Sequence, residues 1–284
     1  MPDSALTAAP TLRCGRYTFD LSRPHVMGIL NVTPNSFSDG GRYFNLARAL
    51  AHARQMITDG ADIIDIGGES TRPGAEPVRV DDELARVLPL VEALASAGIA
   101  VSVDTRKPEV MRAVIAAGAA MINDVNALRA PGALDAVATS DAGVCIMHMR
   151  GEPATMQQAP DYTNVVAEVR DFLVTRAEAT AAAGIDRDRI VIDPGYGFGK
   201  RLSHNLSLVR ALPVFVATGY PVMMGVSRKS SLGELTGRAV DERLAASLAA
   251  GMASVARGAR MLRVHDVRET VDALKVWSAI ERAE

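Results

Sequence analysis

The 284-residue sequence places acids, amides and cations directly after short apolar runs. They are Asn31; Gly67, Gly68 and Glu69, leading to Thr71 and Arg72; Asp104; Asn123 and Asp124; His148; Asp193; Ser227, Arg228 and Lys229; and Arg263, His265 and Asp266. Carboxylates and amides accept the N–H groups of a polar ring, while guanidinium and ammonium groups bind anions. A single acid after a strand also serves as a helix cap, a reading that suits Asp124 and Asp266 best. Recurrence at nearly every run favours a site for a polar, partly anionic small molecule.

Spacing disfavours several other chemistries. Asp193-Pro-Gly-Tyr-Gly-Phe-Gly-Lys200 is not a Walker A loop, because Pro194 stands where the first glycine belongs and Arg201 follows the lysine. The five histidines show no HExxH spacing, and no GxSxG nucleophile elbow occurs. His148 reads as a packing or hydrogen-bonding residue. Arg263 and His265, two residues apart on an alternating strand, share one side as an anion clamp would. Residues 31–41 are rich in turn formers and read as a lid or substrate arm. In residues 67–75, Arg72 stands between glycines, and its planar fork matches phosphate.

The elements that must position these residues are eight apolar runs: Val26 to Leu30, Asp62 to Ile66, Ile99 to Val103, Ala120 to Ile122, Gly143 to Met147, Arg189 to Ile192, Pro221 to Gly225 and Ala259 to Val264. The third, fourth and sixth are short. Helical patterns lie between them: Leu46, Ala49, Leu50, Ala53, Met56 and Ile57 form one stripe closed by Gly60. Asp81 is expected to N-cap the next helix, and Pro108 to open the third. Alternating buried strands and amphipathic helices predict an α/β fold, a single (β/α)8 barrel over residues 26–284 behind an N-terminal segment, residues 1–25, packed on it. An open doubly wound sheet is the alternative, but no GxGxxG follows the first run. In a barrel the site lies at the carboxyl ends of the strands, where the polar set falls.

The 31 Lys plus Arg against 33 Asp plus Glu give a net charge of −2, without the electrostatic footprint of a nucleic-acid binder. Cys14 and Cys145 lack CxxC spacing and suit a reducing compartment. No stretch reaches membrane-spanning length without charges, and the first 25 residues lack the pattern of a secretory signal, so a cytoplasmic protein without membrane or nucleic-acid partners is expected.

Seven segments, in order, carry a family resemblance: Met27-Gly-Ile-Leu-Asn-Val-Thr-Pro-Asn-Ser-Phe-Ser-Asp-Gly-Gly41, Asp65-Ile-Gly-Gly-Glu-Ser-Thr-Arg-Pro-Gly-Ala75, Ser102-Val-Asp-Thr105, Ile122-Asn-Asp124, Asp193-Pro-Gly-Tyr-Gly-Phe-Gly-Lys200, Ser227-Arg-Lys-Ser230 and Arg263-Val-His-Asp266. Nearly end to end, the chain resembles the bacterial dihydropteroate synthases of the pterin-binding barrel superfamily. The resemblance implies condensation of 7,8-dihydropterin-6-ylmethyl diphosphate with 4-aminobenzoate, giving 7,8-dihydropteroate and pyrophosphate for folate synthesis. Pyrophosphate leaves first, and the amine attacks a pterin-methyl cation, so no protein nucleophile is needed.

Carried over by position, the resemblance assigns Asp104, Asn123, Asp193, Lys229 and Arg263 to the pterin, with the Asp193 carboxylate taking two adjacent ring N–H groups. It assigns Asn31, Thr71, Arg72, Arg263 and His265 to the diphosphate, with Asn31 as direct ligand of the accompanying Mg2+. Phe37, Thr71 and Pro73 would wall the 4-aminobenzoate pocket, with Ser230 near its carboxylate, a pocket that would also admit sulfonamides. Asp39, Arg72, Lys229, Arg263 and His265 form the implied catalytic set, Asp39 facing the cation. Asn35 departs from the aspartate that many family members carry there. A homodimer is expected from the family. Two other readings share the fold and the pterin contacts: a non-catalytic pterin-binding paralogue and a pterin-dependent methyltransferase. The latter has no use for Arg72, Arg263 and His265 around a leaving pyrophosphate.

Overall fold

A computed structural model describes residues 10–32, 42–70, 76–151, 156 and 160–283. Eight parallel strands alternate with helices: β3 (His25–Asn31), β4 (Ile63–Gly67), β5 (Val101–Asp104), β6 (Met121–Asp124), β7 (Gly143–Met147), β8 (Ile190–Asp193), β9 (Met223–Met224) and β10 (Met261–Val264). Each pairs with its neighbour in sequence, and β10 returns to β3. Between β8 and β9 the contact thins to one bridge, Ile192 opposite Val222, where the Ile192 N–H donates to the Pro221 carbonyl at 2.9 Å. The sheet is thus a nearly closed (β/α)8 barrel. The shortest strand is the seventh of the eight, not one of the three that looked short in sequence.

Fully buried strands explain the continuous apolar runs, since parallel strands are covered on both faces. Outward residues such as Ile64, Ile66, Val101, Val103 and Ile122 pack under the helices. Among these are α1 (Arg42–Thr58), α2 (Val80–Ser96) and α3 (Pro108–Ala116). Pro108 opens α3 as expected, where its missing N–H costs nothing. Asp81 does not cap α2. Arg79 occupies that position, and Asp81, Asp82 and Glu83 fill the first turn, where their charges meet the positive end of the helix dipole.

The inward positions of the lower strands are apolar: Met27, Ile63, Met121, Cys145, Val191, Met223 and Met261. A hairpin the sequence reading did not resolve, β1 (Thr11–Cys14) and β2 (Tyr17–Asp20), closes this end with Leu12, Cys14, Phe19 and Leu21. Its two-residue turn begins at Gly15, φ +57°. Both cysteines are buried and unbonded. Among the described residues no helix is long and apolar enough to cross a membrane.

Candidate active site

Strand register assembles the upper end of the barrel. Asn31 stands opposite Gly67, Gly67 opposite Asp104, and Asp104 opposite Asn123, so four adjacent strands end in one polar row. Asp65 lies two residues below Gly67 and therefore faces the same interior. Arg263 reaches across from β10, its Nε donating to Asp65 Oδ2 at 2.6 Å and its Nη2 to Asp104 Oδ2 at 2.9 Å. The Asn123 amide donates to Asp65 Oδ2 at 3.2 Å. Asp193, at the end of β8, accepts the Gly195 N–H at 2.7 Å through Oδ1. A Cβ on Gly225 would stand 4.0 Å from both Asp193 Oδ2 and Arg263 Cβ, so glycine there keeps the gap between them open.

Burial sets the electrostatics of this mouth. It pushes Asp104 up to about 7, against the pull of Arg263 and with help from Asp65 and Asp124. Burial also raises Asp193, opposed by the Gly195 hydrogen bond and by Lys229 and Lys200. Burial alone would lower Arg263, but Asp65 and Asp104 outweigh it and hold the guanidinium more firmly protonated than usual. Lys229 falls to about 8 through burial and the Arg263 charge, partly offset by Asp193 and Asp104. On the rim, burial and Arg263 lower His265 to about 4, so its imidazole is neutral near pH 7. Its Nδ1 lies 3.1 Å from Ser227 Oγ. The expected clamp is therefore one cation plus one neutral hydrogen-bonding ring.

The segment after β8 folds back on itself through glycines. A Cβ at Gly195 (φ +69°) would overlap the His148 carbonyl oxygen at 1.9 Å, which excludes any other residue. Lys200 turns inward and donates to the carbonyls of His148 (3.2 Å) and Phe198 (3.0 Å), with His148 Nδ1 at 3.0 Å. The Phe198 ring in turn lies under Lys229, Nζ 4.0 Å from its centroid. Ser230 begins the helix Ser230–Thr236 and, with Gly197, Lys200 and Asn205, lines a cavity of about 360 Å3 beside this segment.

Asp104, Asn123, Asp193, Lys229 and Arg263 thus converge, with Asn31 at the edge of the row and His265 and Ser230 at the rim. Phe37, Asp39, Thr71, Arg72 and Pro73, and also Asn35, lie outside the described residues. Asp124 is a local cap, accepting the N–H groups of Asn126 and Leu128 at 2.7 Å each. Asp266 caps nothing with its side chain and pairs with Arg228 instead. Asp65 and Phe198 were not singled out from the sequence. The signal for Asp65 was an acid inside an apolar strand, in phase with Gly67.

Among the described residues no group of three His, Cys, Asp or Glu side chains could hold a metal ion by itself. The chemistry of Asn31 nevertheless fits magnesium, which keeps several waters and binds through one or two protein oxygens plus substrate phosphates. Gly67 leaves the Asn31 amide oxygen accessible, since a Cβ there would come within 3.4 Å of it.

A family model described as pterin binding enzyme matches residues 27–265. The dihydropteroate synthase of Neisseria meningitidis serogroup B is 52% identical over 94% of this chain and 96% of its own length. A structure of the Xanthomonas albilineans dihydropteroate synthase with 4-aminobenzoic acid superposes with a TM-score of 0.92 at 53% identity, over 97% of this chain and 100% of the other. A structure of that synthase with 7,8-dihydropteroate gives 0.88 at 50% identity, over 97% and 100%.

Proposed function

The chain belongs to the dihydropteroate synthase family of pterin-binding enzymes, and from that premise we propose how its own residues run the reaction. The chain is a transferase that condenses 7,8-dihydropterin-6-ylmethyl diphosphate with 4-aminobenzoate to give 7,8-dihydropteroate and pyrophosphate. The observation that supports the residue assignment is the convergence of Asp104, Asn123, Asp193, Lys229 and Arg263 on one barrel mouth, with acids and cations on facing strands.

Asp193 accepts two ring N–H groups through its carboxylate, while Asp104 and Asn123 take further ring edges. Lys229 donates to the ring carbonyl and nitrogen. Arg263 covers the ring and turns its remaining N–H groups to the diphosphate, beside His265. The bond between the pterin methylene carbon and the diphosphate oxygen breaks, its electron pair leaving with pyrophosphate. Asn31, Arg263 and His265, with Thr71 and Arg72, stabilise the charge gathering on that oxygen. Asn31 would hold magnesium together with the diphosphate, and the ion would supply additional positive charge to the leaving group. The carboxylates around the ring, with Asp39, face the methylene cation. The amine lone pair of 4-aminobenzoate then forms the new C–N bond and the nitrogen loses a proton. Phe37, Thr71 and Pro73 enclose the aromatic ring, and Ser230 lies by its carboxylate.

The protein is read as cytoplasmic, as one barrel domain (26–284) with residues 1–25 packed against it, and as a homodimer. Exposed Leu235, Val240 and Leu244, around the helices Ser230–Thr236 and Leu244–Val255, support an apolar contact between copies. The test is incubation of purified protein with both substrates, with and without magnesium. Formation of dihydropteroate and pyrophosphate in equal amounts is expected. Pterin binding without product would make the chain a silent paralogue.

A further inference from the structure

Asp65 has no part in the reaction as described, yet it is a fully enclosed carboxylate of the barrel mouth, with no exposure to solvent. Directly beneath it lies the apolar layer of Ile63 and its neighbours. A charge in such a place persists only when it is paired and hydrogen-bonded. Its Oδ2 takes both the Arg263 Nε hydrogen at 2.6 Å and the Asn123 amide at 3.2 Å. Its Oδ1 has no partner among the described residues. One buried oxygen thus joins a residue placed at the ring to one placed at ring and diphosphate.

The edge of the guanidinium that is used matters. Nε and Nη2 lie along one side of the plane, and Asp65 and Asp104 occupy that side. Nη1 and the second hydrogen of Nη2 remain on the end edge, where they can grip a phosphate with two parallel bonds. We infer that Asp65 is a positioning residue that locks the side edge of Arg263 and thereby presents its end edge to the leaving diphosphate, while holding Asn123 against the pterin. The inference rests on the reading of the mouth as a pterin-methyl diphosphate site. Asp104 alone does not fix this orientation, because a guanidinium held by one nitrogen can pivot about that bond.

The near-isosteric Asp65→Asn variant separates this role from a merely structural one. An asparagine oxygen still accepts from Asn123, but the charge that fixes Arg263 is gone. In the full chain, KM for the pterin diphosphate should rise about tenfold, while the Kd of a dihydropterin lacking the diphosphate changes less than about threefold. Partial unfolding lowers kcat through the active fraction but leaves KM and Kd unchanged. In an Arg263→Lys background, where no side edge exists, Asp65→Asn should change the affinity for inorganic pyrophosphate, read by calorimetry, by less than about twofold. If Asp65→Asn is recovered unfolded, Asp65→Ser, which leaves room for a bridging water, carries the same comparisons. Equal weakening of both pterins, an unchanged KM, or a full effect in the Arg263→Lys background would overturn the assignment. Failure of the unaltered chain to make dihydropteroate would instead overturn the proposed reaction, leaving the pyrophosphate measurement to judge Asp65.

Discussion

The Lys229 ammonium rests 4.0 Å above the centre of the Phe198 ring, and Phe198 is itself anchored through its carbonyl by Lys200. Two lysines of one site are therefore linked through an aromatic residue, one buried as a clamp and the other poised as a donor. A desolvated cation over a ring gains about 0.5–2 kcal/mol. Phe198→Leu keeps the bulk and removes the quadrupole, so pterin affinity should weaken about 3- to 30-fold. Phe198→Trp should retain affinity better than Phe198→Leu. Calorimetric titration with a pterin lacking the diphosphate checks this, and an unchanged Kd in Phe198→Leu would remove the ring from any binding role.

Asp104 at about 7 and Lys229 at about 8 frame a narrow working range. Ring binding uses the ionised acid and the protonated amine, so affinity should increase as pH rises through about 7 and decline above about 8. Asp104→Asn should abolish the acid limb and leave the alkaline one. Asp193, which the ring also needs ionised, is raised by burial too, and persistence of the acid limb in Asp104→Asn would assign the limb to it. The stability effects run in opposite directions. The folded state keeps a proton on Asp104 that the unfolded chain has lost, so this group's contribution falls as pH rises from about 4 to 7. Lys229 is harder to protonate in the fold, so its contribution improves as pH rises from about 8 to 10.

Lys107 bridges Glu69 and the fully buried Glu83, while Arg106 holds the other Glu69 oxygen at 3.0 Å. Arg86 fixes the Gly68 carbonyl at 2.8 Å. These contacts set the path of residues 67–70, from which Thr71 and Arg72 continue. Lys107→Met would strand Glu83 as an unpaired buried charge, at a cost of about 3–5 kcal/mol. Thermal unfolding should shift down by roughly 10 °C. Adding Glu83→Gln should recover part of the loss. A single variant as stable as the parent would show that Glu83 is already satisfied elsewhere.

The barrel was legible because each strand is buried on both faces and reads as an apolar run, and because Gly60 closes the first helical stripe in the left-handed conformation, φ +103°. The polar row was legible for the same reason: Asp104 and Asn123 interrupt their runs at the end. Asp65 was obscured by its place inside a run, where an acid reads as part of the strand until the pairing register puts it opposite Ser102 and beneath Gly67. Phe198 was hidden in a glycine-rich turn, since only the left-handed turns at Gly195, Gly197 and Gly199 bring its ring beneath Lys229. The β1–β2 hairpin was missed because its alternation spans only four residues on each side of the turn.

That hairpin seals the end of the barrel opposite the mouth, and Gly143 sets how closely it docks. A Cβ on Gly143 would meet Cys14 Sγ at 2.4 Å and the Arg13 carbonyl at 3.0 Å. Gly143→Ala therefore overpacks a buried junction and should cost about 1–3 kcal/mol in urea unfolding. Cys14→Ala removes the sulfur but not the Arg13 carbonyl, so combining the two should recover some of the loss rather than all of it. The double variant should be more stable than additivity predicts by about 0.5 kcal/mol or more, the margin expected for side chains in direct contact. Because the junction lies below the apolar layer, kcat/KM per folded molecule should match the parent in all three variants. Strict additivity would mean that the strand accommodates the methyl by moving away from Cys14, and a changed kcat/KM would mean that the floor of the barrel is coupled to its mouth.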